Sequence, residues 1–337
     1  MSVATQEKPF VLKPAVRENV PLLIGLAGGT GSGKTYSAMR LAAGLSNGQR
    51  FAVIDTESGR AKAYADEFQF DHGELTAPFR PETYERAILA VDAMHKYPVI
   101  VVDSASHEYA GEGGLLDWQE DELTRMAGDD WKKRESCKMA SWIKPKMAHK
   151  AYVQKLLQIR SHLILCFRAE PKTEMVKQDG KMVVQPKKGL TGLDGWFPLC
   201  EKNMPFELTA YFLLTADKPG IPQPIKLMDR HRPFFQLDKP ITEEAGRQLA
   251  AWARGGTSPA VSARSDGDIH KGPPLTAEEF FDKDDVRDIE TACSDAGVRM
   301  SVVVDKLMRD FGTVEKTPKT KKAKILEWIE AKAKQTA

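Results

Sequence analysis

The sequence predicts an α/β protein built on a mainly parallel sheet. Short apolar runs alternate with segments of helical periodicity, a glycine-rich stretch separates the first run from a helix, and a later run ends on a single acid. Strands alternating with helices imply right-handed crossovers and parallel pairing.

The first run, "PLLIGLA", is nearly continuous in its apolar character, as a strand buried on both faces should be. "GGTGSGKT" follows, and then Ala38, Leu41, Ala42 and Leu45 recur at helical spacing. Glycines packed this densely mark backbone that must turn tightly or approach a ligand closely. Their pattern is G-x-x-x-x-G-K-T, a phosphate cradle between a strand and a helix N-terminus, where free N–H groups and the helix dipole attract anions. Gly28, Gly29, Thr30, Gly31, Ser32, Gly33, Lys34, Thr35 and the adjoining Tyr36 form the predicted ATP-binding set. Lys34 is expected to reach the β- and γ-phosphates, and the Thr35 hydroxyl to ligate Mg²⁺.

Three more runs, "FAVIDTE", "PVIVVDS" and "HLILCFR", are spaced as strands of one sheet. Tyr84, Ala87, Ile88 and Val91 give "ETYERAILAVDAMHKY" one apolar helical face, and "KMAHKAYVQKLLQIRS" is a second helix. "FELTAYFLLTA" and "PIKLMD" read as further strands added antiparallel, and "ITEEAGRQLAAWA" as a closing helix. Residues 1–20 form a polar, proline-interrupted arm, 21–254 the core, and 255–274 a Gly/Ser/Pro linker with almost nothing to bury. Residues 275–337 return to helical periodicity, with Phe280, Val286, Ile289, Val303, Leu307, Ile325 and Trp328 as the expected core of a small interaction domain.

A net charge of +2 over 337 residues confines any nucleic-acid surface to local patches. Cys137, Cys166, Cys200 and Cys293 form no C-x-x-C pair, which predicts a reduced, cytoplasmic protein. The first twenty residues lack the apolar core of a signal peptide, and no run is long enough to span a bilayer.

Asp103 ends "VIVVD", the position from which an acid of a P-loop protein holds Mg²⁺; Ser104 is expected to hydrogen-bond in the same site. Glu57 lies just past the "VID" strand end, where a doubly wound sheet places its active site, and is the expected activator of the attacking water. Glu108, in "SASHEYAGEGG", is its rival. A zinc reading of "SHEYAG" fails, because H-E-x-x-H would need histidine where Gly111 stands.

Together, "GGTGSGKT", "VIDTESGRAKAYADEF" and "VIVVDSAS" resemble the RecA ATPase core over roughly residues 20–253, and within it the short RecA-like ATPases of phages and prophages, some associated with single-strand annealing and recombination. The resemblance implies a RecA-like P-loop NTPase core using ATP and Mg²⁺, with Glu57 as base, Tyr64 stacked on adenine and Asp103 on the metal. It implies a homo-oligomer, ring or filament, on single-stranded DNA. "HLILCFR" is similar to the strand whose end senses the γ-phosphate and leads into a DNA-binding loop; RecA has glutamine there and this chain has Arg168. Lys226, Arg230 and Arg232 in "IKLMDRHRPFF" stand where RecA-like rings supply a basic residue to the neighbouring subunit's γ-phosphate.

Two segments suit single-stranded DNA, since aromatics stack bases and lysines neutralise phosphates. One interleaves Trp131 and Trp142 with Lys132 and Lys133. The other is a hairpin turning at Asp179-Gly180 and lined by Lys172, Lys177, Lys181, Lys187 and Lys188. The sequence thus predicts an ATPase stimulated by single-stranded DNA. The alternatives are a nucleotide-switched assembly protein that recruits a partner through its C-terminal domain, and a ring helicase or DNA motor.

Overall fold

The computed structural model describes residues 12, 14–178, 181–188, 195–255, 283–311 and 321–336. They fall into two compact units, Met1–Ala263 and Arg264–Ala337.

The first unit opens with β1 (Leu23–Gly28), buried at every position, and α1 (Lys34–Leu45), which buries Ala38, Leu41, Ala42 and Leu45. β2 (Phe51–Asp55), a 3-10 turn (Arg60–Tyr64) and β3 (Phe70–Glu74) follow. Next come α2 (Pro81–Ala93), with Tyr84 and Ile88 inward, and β4 (Val99–Asp103), again wholly buried. Three helices then occupy the connection after the acid: α3 (His107–Ala110), α4 (Leu115–Ala127) and α5 (Trp131–Cys137). α6 (Ile143–Leu156) leads into β5 (His162–Pro171).

β6 (Thr173–Gln178) and β7 (Lys181–Pro186) form a separate two-stranded sheet, while β8 (Trp196–Pro198) pairs antiparallel with the end of β5. After α7 (Met204–Glu207), β9 (Ala210–Thr215) and β10 (Lys218–Lys226) complete the main sheet, and α8 (Glu243–Ala253) closes the unit.

The sheet runs β10-β9-β1-β5-β4-β2-β3. Every pair from β9 to β3 is parallel and β10 is antiparallel, so β9 departs from the antiparallel addition expected of it. Its apolar run "AYFLLT" is buried at all six positions, which is what a strand lodged against β1 requires. β3 escapes the periodicity because "FDHGE" carries Asp, Gly and Glu; as the last strand of the sheet it pairs on one side.

Two cores flank the sheet. One joins β1, β2 and β4 to α1 and α8 through Leu26, Leu41, Val101 and Trp252; the other joins them to α2 and α6 through Ile88, Val102, Tyr152 and Leu165. α1 and α8 cross at touching glycines: a Cβ on Gly44 would lie 1.9 Å from the Glu243 carbonyl oxygen. Arg40 locks that crossing with a bidentate pair to Glu243, both hydrogen bonds at 2.8 Å.

The second unit comprises α9 (Lys283–Ala296), α10 (Met300–Phe311) and α11 (Lys322–Thr336) around Ile289, Cys293, Val303, Leu307, Ile325 and Ile329. Trp328 is partly buried there and Val286 half-buried. Lys322 joins α11 to α9 by pairing with Asp285 and Asp288 at 2.7 and 2.6 Å. Phe280, and the expected linker from residue 256 on, lie outside the described residues.

Candidate active site

The C-terminal ends of β1, β2, β4 and β5 meet at one rim of the sheet, as they must when parallel neighbours are in register. A cleft of about 670 Å³ opens there, lined by Gly28 through Tyr36 together with Glu57, Arg60, Tyr64, Arg168, Ala169 and Leu199. The loop between β1 and α1 folds under its own backbone constraints. Gly33 caps α1 at φ 77, a left-handed conformation that a side chain would strain. Ser32 Oγ donates to the Gly29 carbonyl at 2.8 Å, and Lys34 Nζ donates to the same oxygen at 3.0 Å. The ammonium therefore already lies over the loop.

Thr35 Oγ1 donates to Asp103 Oδ2 at 2.5 Å. Burial lifts the Asp103 carboxyl to about 6; Glu57 and Asp55 act in the same direction, against the Thr35 hydrogen bond and the charge of Lys34. A hydroxyl and a buried carboxylate at one strand end are hard oxygen donors that fit Mg²⁺, which keeps several waters and takes few protein ligands. Ser104 has a different place from the one expected. It is fully buried, its Oγ donating to the Cys166 carbonyl at 3.3 Å and accepting from Ser106 N at 3.2 Å, so its hydroxyl braces the chain after β4.

Glu57 projects into the cleft and is gripped from both sides. Arg168 Nε and Nη2 donate to Oε1 at 3.0 and 2.7 Å, and Arg60 Nη1 donates to Oε2 at 3.2 Å. Asp55, which sequence reasoning missed, shapes this presentation. Its buried carboxylate accepts from Glu57 N at 2.6 Å and Ala61 N at 2.9 Å, folding the chain after β2 into the 3-10 turn. An acid two residues before the glutamate, at a strand end, is the signal that could have found it. Thr56 ties the same loop to the Asp103 strand: Ser104 N donates to its Oγ1 at 2.8 Å, and His107 Nδ1 lies 2.8 Å away.

Tyr64, half-buried, packs against Tyr36 at 5.8 Å between ring centroids, so both aromatics stand on one wall of the cleft. Glu108 is not in the cleft. It is buried on α3 with Oε1 at 2.9 Å from His149 Nδ1, which removes it as rival to Glu57: facing α6, it has no path to the P-loop.

The basic segments are exposed. Trp131 is 72% exposed with Lys132 over its ring at 5.6 Å, whereas Trp142 is half-buried with Lys146 over it. Lys133 follows on α5. β5 runs from Arg168 directly into the β6–β7 hairpin, whose Lys172, Lys177, Lys187 and Lys188 are exposed beside exposed Met175, Met182 and Val184. Lys172 and Lys187 both lie over Phe197, at 5.6 and 5.7 Å. The turn Asp179-Gly180 and the Lys181 side chain lie outside the described residues.

Arg230 and Arg232 are exposed on either side of the buried His231, which meets Trp252 edge to face at 4.3 Å; neither arginine lines this chain's cleft. Lys226 is committed elsewhere, its Nζ donating to the Phe206 carbonyl at 2.6 Å.

A P-loop strand (β1) separated by one strand from an acid-tipped strand (β4), with Lys34, Thr35 and Asp103 brought together, defines a RecA-like P-loop ATPase domain. Residues 21–196 match the AAA_24 family of AAA domains, and the chain belongs to that family. No curated protein matches the chain. Among solved structures, a KaiC-like protein of the hyperthermophilic archaeon Pyrococcus horikoshii OT3 is similar over 59% of this chain and 72% of its own, at 16% identity and a TM-score of 0.30. Among the described residues, no helix is long and apolar enough to cross a membrane.

Proposed function

We propose that the protein is an oligomeric ATPase that works on single-stranded DNA, in recombination or replication of the phage type. The observation that carries this reading is the continuity of β5. One strand presents Arg168 to the nucleotide cleft and then feeds a lysine-lined hairpin whose two strands, among the described residues, pair with each other alone. A two-stranded hairpin is marginal by itself, so exposed methionines and lysines on it suit a surface completed by a ligand.

In this mechanism the loop N–H groups and Lys34 bind the phosphates, and Tyr36 and Tyr64 flank the adenine. Thr35 and Asp103 would hold Mg²⁺, which when bound neutralises charge on the phosphate oxygens. Glu57 orients the attacking water and takes its proton at a carboxylate oxygen. Both of those oxygens are bonded to arginines here, so Arg168 must leave Glu57 before Oε1 can accept a proton. The γ-phosphate offers Arg168 a competing anion, and a guanidinium can grip either partner bidentately.

ATP turnover measured with and without single-stranded DNA tests the reading. Turnover should rise with DNA, and an unchanged rate overturns DNA stimulation. Neutralising Lys187 and Lys188 together should weaken DNA binding and reduce the slope of log affinity against log salt by roughly 0.7 for each phosphate no longer neutralised. Equal slope and affinity would remove the hairpin from the DNA site.

Arg230 and Arg232 are offered as the contact to a neighbouring subunit's γ-phosphate, where their charge would stabilise the transition state. Turnover per subunit should then rise with protein concentration. Arg230→Ala or Arg232→Ala mixed with Lys34→Ala should recover activity that neither has alone, because an intact arginine can meet an intact P-loop across the interface. Full activity of both arginine variants by themselves would sink the trans contact.

A further inference from the structure

A second cavity, of about 510 Å³, opens beside α6 and is lined by none of the nucleotide-cleft residues. Its floor is polar and buried. His149 Nδ1 lies within hydrogen-bond distance of Glu108 Oε1 at 2.9 Å, and its Nε2 lies 4.0 Å from Glu201. Burial opposes a charge on His149, but the Glu108 hydrogen bond and the two carboxylates outweigh it and hold the imidazole above its ordinary pKa.

At the mouth, Lys146 and Lys150 stand one helical turn apart, both exposed. Among the lining residues on α7 is Phe206, 66% exposed. That exposure is built in. Met204 is buried, Lys226 Nζ holds the Phe206 carbonyl at 2.6 Å, and Asn203 N donates to Glu201 Oε2 at 2.6 Å, so the short helix is pinned with its ring outward.

An aromatic face, two ammonium groups, and the carboxylates and amides of Glu201, Glu207, Gln154 and Asn203 make three different demands on one ligand. A nucleotide meets all three: its base stacks, its amino and imino edge bonds to carboxylate and amide oxygens, and its phosphate pairs with lysine. The volume is in the range of small-ligand sites. Ile143 and Met147 are exposed on α6, and Trp142, just before it, sits under Lys146.

We propose that this cavity receives one unstacked nucleotide of a bound single strand, its base on Phe206 with the edge toward Glu201 and Gln154, and its phosphate between Lys146 and Lys150. The site rests on the single-stranded DNA reading above. The chain just ahead of Glu201 also lines the ATPase cleft, where Leu199 donates from its N–H to the Arg168 carbonyl at 2.7 Å.

The test is binding of a labelled mixed-sequence oligodeoxynucleotide to the full chain over a salt series. Phe206→Ala should weaken affinity roughly fivefold or more, the loss of one stacked base, with the salt slope unchanged. Phe206→Trp should restore the affinity, which a merely unfolded variant could not. Lys146→Ala with Lys150→Ala should instead lower the slope, by roughly 0.7 for each phosphate no longer paired. Wild-type affinity and slope in all three variants, with wild-type protein binding the strand, would overturn the cavity and leave the DNA reading intact. No strand binding by wild-type protein would overturn both. Phe206-dependent binding of free deoxynucleoside monophosphate, with strand affinity indifferent to the substitutions, would overturn the assignment to a strand.

Discussion

Glu57→Gln is expected to slow ATP turnover by roughly 10²-fold or more while ATP still binds, as loss of a general base should. The substitution keeps size and one carbonyl oxygen but removes the negative charge that accepts the water proton. It also weakens the grip of Arg168, whose two donors both meet Oε1 of the carboxylate. The P-loop does not depend on this residue: Lys34 and Ser32 are held by the Gly29 carbonyl, and Thr35 by Asp103. Single-turnover kinetics alongside equilibrium binding of a fluorescent ATP analogue separate the two effects, and an ATP-bound assembly should accumulate in the variant. Turnover equal to that of the wild type would strip Glu57 of the role. Glu108→Gln does not belong to this comparison as a rival, because its carboxylate faces His149 behind the site.

Lys34→Ala should abolish turnover and weaken ATP binding, because it deletes the ammonium that lies over the loop. A hydrogen bond to a charged group contributes about 1.5–3 kcal/mol, or roughly 10- to 150-fold in affinity for a single bond. Lys34 is only half-buried at the start of α1, so its removal should leave the fold alone; Ala38, Leu41, Ala42 and Leu45 still bury the helix. Isothermal titration with ATP and Mg²⁺ gives the affinity, and phosphate release gives the rate. Unchanged values for both would dismiss the phosphate cradle itself.

Both variants act on residues that are legible in the sequence, and the reason is locality. The P-loop is a run of neighbours whose spacing alone sets its geometry: glycines where φ must be positive, then lysine and threonine on the first turn of a helix. β1, β4 and β5 announce themselves because strands covered on both faces must be apolar throughout. Asp103 and Glu57 follow from such strands, since a parallel sheet gathers its C-terminal ends at one rim.

Other features depend on residues far apart in the chain. Arg168 and Glu57 are 111 positions apart, and only the insertion of β5 and β4 between β1 and β2 brings them within a hydrogen bond. Glu108 reads like a site residue from its neighbours, but the turn of α3 sends it toward α6 instead. β9 looks like any apolar strand, and its parallel direction is set by the slot beside β1 rather than by its own residues. The cavity on α6 is built from one helix face and the pinned helix after β8, and neither carries a periodic signal of a site. The phosphate cradle, the acids at the strand ends and the α/β class are readable from the chain alone, because short-range spacing and strand burial encode them. Which charges face each other is set by the fold, because pairing across the sheet depends on strand order, and strand order leaves no local trace.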